Sequence, residues 1–327
     1  ISAASAKSAR RFVHGLALIA ATAVTAATAP VHAQSWPTKQ PIKLVAVFPP
    51  GGSVDQVARI LAQPLQAQLG QTVIVENKGG ASGSIGAAFV AQAPADGYTF
   101  AVVFDSHAVN PALIPSLPFD TKKDLAAVSL IGTAAMTIAT PATSEYKSFA
   151  DVATALKAGK PVSYGTIGNG SLGHLAMTLL GKQNGLNWQH VPYKGGGPMM
   201  QDAVGGHVPL VIGSVFVVKP HIDSGRVRAL AVTTAKRSAE LPNVPALAEV
   251  GYGQFEAPAW WAVLAPAKTP PEIVARMNAE ISKALQNPDT AKKLEAQGIS
   301  LIGGAPETAR VFIEKQIDIW GKVVKDY

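Results

Sequence analysis

Residues 42–48 read IKLVAVF, apolar throughout except for Lys43, and so predict a strand buried on both faces. Pro49-Pro50-Gly51-Gly52 follows, and then Val54, Val57, Ala58, Leu61 and Leu65 recur at helical spacing, which predicts a turn and a helix over 53–69. Ser53 is placed to cap this helix, with Gln56 closing a capping box three residues on, and Pro64 is expected to kink it. The N–H groups at such a helix start bind anions. The prolines stiffen the turn, while Gly51 and Gly52 let a ligand approach the main chain. An ordinary βα connection would carry the same local pattern.

The alternation continues with a strand at 72–75, a Gly-rich loop at 77–83, a helix at 85–93, an Asp96-Gly97 turn and a strand at 98–104. A second series repeats the scheme, with strands at 162–166, 189–193, 208–212 and 228–233 and helices at 174–182 and 199–204. Repeated βα units imply parallel sheets covered by helices on both faces. Two apolar segments without helical period, 135–140 and 259–264, are predicted to cross between the halves as a two-strand hinge with a ligand cleft beside it. The resulting division is residues 34–137 and 261–327 in one domain and 138–260 in the other. Thr269-Pro270-Pro271-Glu272 predicts a capping box and a helix, and Pro306-Glu307 starts a second whose Ile313, Ile317, Trp320 and Val324 stripe is core.

Ahead of this lies a different pattern. Lys7, Arg10 and Arg11 precede an uncharged apolar stretch, 12–29, and Val31-His32-Ala33 follows, as in a secretory signal peptide cut after Ala33. The Arg10-Arg11 pair leaves general and twin-arginine export both open. The 327 residues contain no cysteine, so disulfides, thiol catalysis and Cys-ligated zinc are excluded. The formal charge of +7 falls to +4 without the three basic residues of the leader, or 25 basic minus 21 acidic. With charged residues at only 15% and no basic run in the remainder, a nucleic-acid surface is not expected, whereas an anionic small ligand suits the balance.

Gly168-Asn169-Gly170-Ser171-Leu172-Gly173 matches a dinucleotide fingerprint between a strand and a helix. The acidic residue that would meet a ribose some 20 positions on is missing, and His190-Val191-Pro192-Tyr193-Lys194-Gly195 stands there instead. A helix start with Ser171 and a nearby Lys194 fits a carboxylate better. No nucleophile elbow occurs; Ser53 and Ser171 sit at helix starts where capping accounts for them, and His174 reads as a packed helix residue. His107 follows a strand end, where ligand contact and loop hydrogen bonding are both open. Trp260 and Trp261 read as hinge packing. No zinc spacing is present, and neither a cofactor nor a metal is expected.

Taken together, Phe48-Pro49-Pro50-Gly51-Gly52-Ser53-Val54-Asp55, Val75-Glu76-Asn77-Lys78, Ala95-Asp96-Gly97-Tyr98-Thr99, His190 to Gly195, Arg226 to Val232 and Trp261 to Pro266 resemble the Bug family, the TctC-type extracytoplasmic receptors of tripartite tricarboxylate transporters. The resemblance runs through the chain after the leader, with the motifs in family order. It implies a class II periplasmic-binding-protein fold: two doubly wound α/β domains that close on a small organic acid.

The ligand residues implied are Phe48, Pro49, Gly51, Gly52 and Ser53 with Asp55, then Ser106 and His107, then Thr166 with Gly168, Asn169, Gly170 and Ser171, and further Tyr193, Lys194 and Ser214. Asp55 is read as orienting the first turn, because two bare carboxylates repel. The ligand expected is a di- or tricarboxylate, an amino-acid-like acid or an aromatic acid. The implied partners are inner-membrane permease subunits, with the receptor a monomer in the periplasm and not an enzyme. A ligand-sensing receptor for a signalling partner, or a secreted hydrolase on the same fold, are the alternatives.

Overall fold

The computed structural model describes residues 36–253 and 256–326, and the predicted leader lies outside the described residues. Two sheets carry the fold. The first contains β1 (Ile42–Ala46), β2 (Val73–Asn77), β3 (Thr99–Phe104), β4 (Leu125–Ala134), β10 (Ala259–Pro266) and β11 (Ser300–Leu301), in the order β11-β4-β10-β3-β1-β2. The second contains β5 (Met136–Pro141), β6 (Ser163–Thr166), β7 (Gln189–Pro192), β8 (Leu210–Ser214) and β9 (Val227–Val232), in the order β7-β6-β8-β5-β9.

Each sheet therefore has the same plan. A parallel trio has its first strand in the middle, β2-β1-β3 and β7-β6-β8, and an antiparallel strand, β10 or β5, is set beside it. The purely parallel sheets expected from the βα alternation are thus mixed. The physical reason is the crossing: β4 runs into β5 with only Ala135 between them, so a nearly continuous strand serves both sheets. In such sheets ligands gather outside the carboxyl ends of the strands where the strand order reverses, here between β1 and β3 and between β6 and β8.

The helices are α1 (Ser53–Leu69), α2 (Ser84–Ala91), α3 (Ser106–Leu113), α4 (Phe149–Lys157), α5 (Leu172–Asn184), α6 (Gly196–Gly205), α7 (Val215–Asp223), α8 (Pro271–Gln286), α9 (Pro288–Glu295) and α10 (Pro306–Asp326). No helix of the described residues is long and apolar enough to cross a membrane. α1 continues through Pro64 to a left-handed Gly70. Its cap departs from expectation. Gly52 holds the N-cap position and Ser53 lies inside the first turn, with no side-chain cap bond. The Thr269 capping box also fails to form, since Pro270 is the N-cap of α8 and the Thr269 hydroxyl has no partner, while Pro271 does occupy the first helical position.

Residues 259–264 are not a crossing; they form the interior of β10, paired to β3 and β4. The return from the second sheet runs instead through Thr233 and Ala257, where Thr233 N–H donates to Met136 O at 3.0 Å and Ala257 N–H to Thr233 O at 3.2 Å. Trp260 and Trp261 are accordingly core residues of the first sheet, both fully buried. Trp261 lies 5.1 Å from Phe104 and 5.7 Å from Phe216, and Trp260 meets Phe312 of α10 edge-on.

Candidate functional site

The turn after β1 is built by Asp55. Its carboxylate accepts the Gly51 N–H at 3.0 Å, Asn77 Nδ2 at 3.0 Å and Arg59 Nε at 3.0 Å. Burial alone would raise the Asp55 pKa, but the bonds from Arg59, Gly51 and Asn77 outweigh it and hold the carboxyl below its ordinary range. Asn77 also donates to Phe48 O at 3.0 Å, tying β2 to the end of β1. With its side chain so engaged, Asp55 shapes the turn and leaves Gly52 and Ser53 to face the space beyond.

What they face is a narrow cavity of about 20 Å³ lined by Phe48, Gly52, Ser53, Val54, Phe104, Met136, Ile167, Gly196, Gly213, Ser214 and Val217. It receives the first residues of α1, α6 and α7, drawn from both sheets. A Cβ built on Gly52 would lie 3.8 Å from the backbone nitrogen of Gly196, so two helix starts confront each other. Ser53 and Ser214 are both buried against this cavity, and neither hydroxyl bonds another described residue. No charged side chain of the described residues lines it. Helix N-termini carry partial positive charge, so the cavity favours an anionic group with free lone pairs.

An outer groove opens past Phe48 and Ile167, which line both spaces. Its walls include Pro49, Pro50, Asn77, Gly79, Ser82, Gly168, Asn169, Tyr193 and Lys194, with no acidic side chain among them. The Tyr193 hydroxyl donates to Asp202 at 2.8 Å, and burial, followed by that carboxylate, pushes its pKa up to about 12. Tyr193 thus presents its ring to the groove, and Lys194 is exposed at the rim.

The Gly-rich turn after β6 divides in two. Gly168 and Asn169 line the groove. Thr166, Gly170 and Ser171 face inward. The Thr166 hydroxyl accepts the Gly168 N–H at 3.2 Å and lies 2.7 Å from His190 Nε2. Gly170 N–H donates to His174 Nδ1 at 3.1 Å, and Ser171 caps α5 by accepting the His174 N–H. His174 and His190 stack 3.9 Å apart. Burial lowers the pKa of both rings, and His174 adds to the effect on His190, which falls to about 4. The N–H groups at 168 and 170 are therefore taken up by the side chains of Thr166 and His174, so these two are not free for the anion expected there. Because His174 turns Nδ1 to a backbone N–H, it does not serve the Ser171 hydroxyl as a base.

Ser106 and His107 are likewise not in the cleft. β3 leads directly into α3, and the Ser106 hydroxyl donates to Ser82 O at 2.7 Å. His107 points to the far side, stacked on Phe119 and lining a cavity with Thr121, Lys122, Arg310 and Glu314, where burial lowers its pKa to about 4. Sequence reasoning missed Phe104, Met136, Ile167, Gly196, Gly213 and Val217 in the inner wall. Of these, Gly196 carried a signal: Gly195-Gly196-Gly197-Pro198 follows a strand and opens a helix, as the first Gly-rich turn does.

Comparison with known proteins finds relatives of both sequence and fold. The profile of the TctC family, described as tripartite tricarboxylate transporter family receptor, matches residues 57–327. Protein BugT of Bordetella pertussis is 38% identical over 302 residues, covering 91% of this chain and 92% of BugT. The periplasmic binding protein BugD superposes with a TM-score of 0.84 at 31% identity, over 88% of this chain and 97% of BugD. Rpa4515 of R. palustris, solved with adipate, gives 0.84 at 35% identity, over 89% and 97% of the two chains. MatC of Rhodopseudomonas palustris, solved with bound malate, gives 0.83 at 28% identity, over 88% and 99%.

Proposed function

The chain belongs to the tripartite tricarboxylate transporter receptor family, and from that premise we propose that it is an extracytoplasmic receptor that holds a small organic acid by its carboxylate and hands it to the membrane subunits of such a transporter. The observation that carries the reading is the inner cavity, where α1, α6 and α7 begin and where the Ser53 and Ser214 hydroxyls bond no other described residue. A carboxylate supplies the acceptors that these donors lack, and among the described residues no acidic side chain lines either compartment to repel it. Phe48 and Ile167 then contact the carbon body, and Lys194 stands at the rim for a second anionic group.

The periplasm as the working compartment rests on the predicted leader and on the relatives' description. No catalytic role is assigned to any residue of the cleft. The adipate and malate bound by the two R. palustris relatives guide the choice of test ligands. Isothermal calorimetry with the purified protein would compare each acid with its amide. The acid should bind at least tenfold more tightly, and equal affinity would overturn the carboxylate reading.

A further inference from the structure

The loop before α2 has a backbone that its sequence does not favour. Gly80, Ala81, Ser82 and Gly83 have φ values of 128°, 45°, 52° and 87°, so two residues with side chains sit consecutively in the left-handed region. An isolated loop would relax from this conformation. Two groups from α3 hold it: the Ser106 hydroxyl and Asn110 Nδ2 both donate to Ser82 O, at 2.7 and 3.1 Å. Ser106 and Asn110 are themselves buried in the first lobe. Fixed in this way, Ser82 directs its hydroxyl out of the loop, and it donates to the backbone carbonyl of Asn169 on the opposite lobe.

The surrounding contacts follow the same line. A Cβ on Gly168 would meet Ser82 Oγ at 3.3 Å, so the glycine leaves room for the crossing bond. Leu113, at the end of α3, packs against Gly170, so the helix that supports Ser82 also touches the facing loop. Both Ser82 and Asn169 line the outer groove, which places the bond at its mouth.

We propose that Ser82 is a positioning residue that latches the cleft shut, pre-set by Ser106 and Asn110 in a left-handed loop so that the two lobes join through protein groups alone. Closure then does not depend wholly on ligand, and a closed population exists before binding. The latch also assigns a role to Ser106: it acts on the binding site through Ser82 rather than by touching the ligand.

The test needs no ligand. The chain has no cysteine, so Ala67→Cys in α1 and Gln183→Cys in α5, both exposed, give one spin label on each lobe. Pulsed electron resonance on the ligand-free protein would read the interlobe distance distribution. The labelled parent should show a short-distance population. Ser82→Ala should lower the ratio of short to long distances about three- to tenfold, the usual effect of one lost neutral hydrogen bond. Ser106→Ala should act in the same direction, and adding it to Ser82→Ala should produce no further drop, since both work through one bond. Ser82→Gly, which accepts the positive φ freely, serves as a second variant should the alanine change lower the melting temperature. A parent distribution with the long distance alone overturns the proposal, as does one that Ser82→Ala and Ser82→Gly leave unchanged.

Discussion

The Asp55 carboxylate reaches back along the chain to accept the Gly51 N–H at 3.0 Å while the Arg59 guanidinium, one helical turn on, closes an ion pair at 2.9 Å. One side chain thus fixes the turn before the helix to the helix itself. The expected N-cap serine is unnecessary, because the acidic group reaches over the turn from inside it. Ser53 is thereby released to face the cavity.

Removing Asp55 should loosen the whole first wall. Asp55→Ala leaves the Gly51 N–H without its acceptor and removes one of the two acceptors of Asn77 Nδ2, and is expected to cost about 2–3 kcal/mol in urea unfolding and more than tenfold in ligand affinity. The pH dependence has a definite sign. The folded pKa is lowered, so the stabilisation is complete above the unfolded value of about 3.9 and is lost as pH falls through the folded one. The stability gap between wild type and variant should therefore stay constant from pH 7 to about pH 5 and narrow only in stronger acid.

His107 predicts a loss of the same sign at higher pH. Burial lowers its pKa from 6.5 to about 4, so between those values the unfolded chain binds more protons than the folded one. Stability is complete above pH 6.5 and falls on acidification toward pH 4. The charged groups lining its cavity are Lys122, Arg310 and Glu314. His107→Phe, which keeps a ring against Phe119, should reduce the loss of unfolding free energy between pH 7 and pH 5 by roughly 1–2 kcal/mol. An unchanged loss would place the acid sensitivity elsewhere, with His190 the first candidate, since its pKa is also lowered to about 4.

The first wall was legible because its signals are local: an apolar strand, a Pro-Pro-Gly-Gly turn and a periodic helix lie within one segment. The elements that escaped detection carry mixed signals. α7 reads VFVVKPHID, rich in β-branched residues and interrupted by Pro220, and α3 contains Asn110 and Pro111; both are helical because tertiary packing overrides propensity. β4 carries Ser129, Gly132 and Thr133 in an otherwise apolar run, and is held as a strand by β10 and β11. The inward turn of Thr166, Gly170 and Ser171 had no sequence signal, because it depends on His174 and His190 meeting across α5 and β7.

The two cavity serines should respond alike although they belong to different sheets. Both residues are buried and neither hydroxyl bonds another described residue, so Ser53→Ala and Ser214→Ala remove no hydrogen bond among the described residues. Thermal melts of the ligand-free variants should match or slightly exceed wild type. Affinity for the bound acid should fall about tenfold in each, as expected for a hydrogen bond to a charged group. A loss confined to one variant would show that the carboxylate sits against one wall only.

Gly51 and Gly52 adjoin in sequence but should separate in experiment. Gly51 has φ 83°, a conformation that costs a residue with a side chain roughly 1–2 kcal/mol, and nothing lies within 4 Å of the position its Cβ would take. Gly51→Ala should accordingly lower stability by that amount without blocking the cavity. Gly52 has φ −83°, open to any residue, and its added Cβ would meet only ordinary contacts, Pro49 O at 3.7 Å and Gly196 N at 3.8 Å. The fold thus has no use for glycine at 52, and what the residue leaves open is space between two helix starts. Gly52→Ala should melt within about 2 °C of wild type yet bind the acid at least tenfold more weakly, about 1.4 kcal/mol, and Gly52→Val more weakly still. Wild-type affinity in both variants would move the carboxylate out of the inner cavity and into the outer groove, since only there would a methyl group at position 52 leave the ligand untouched.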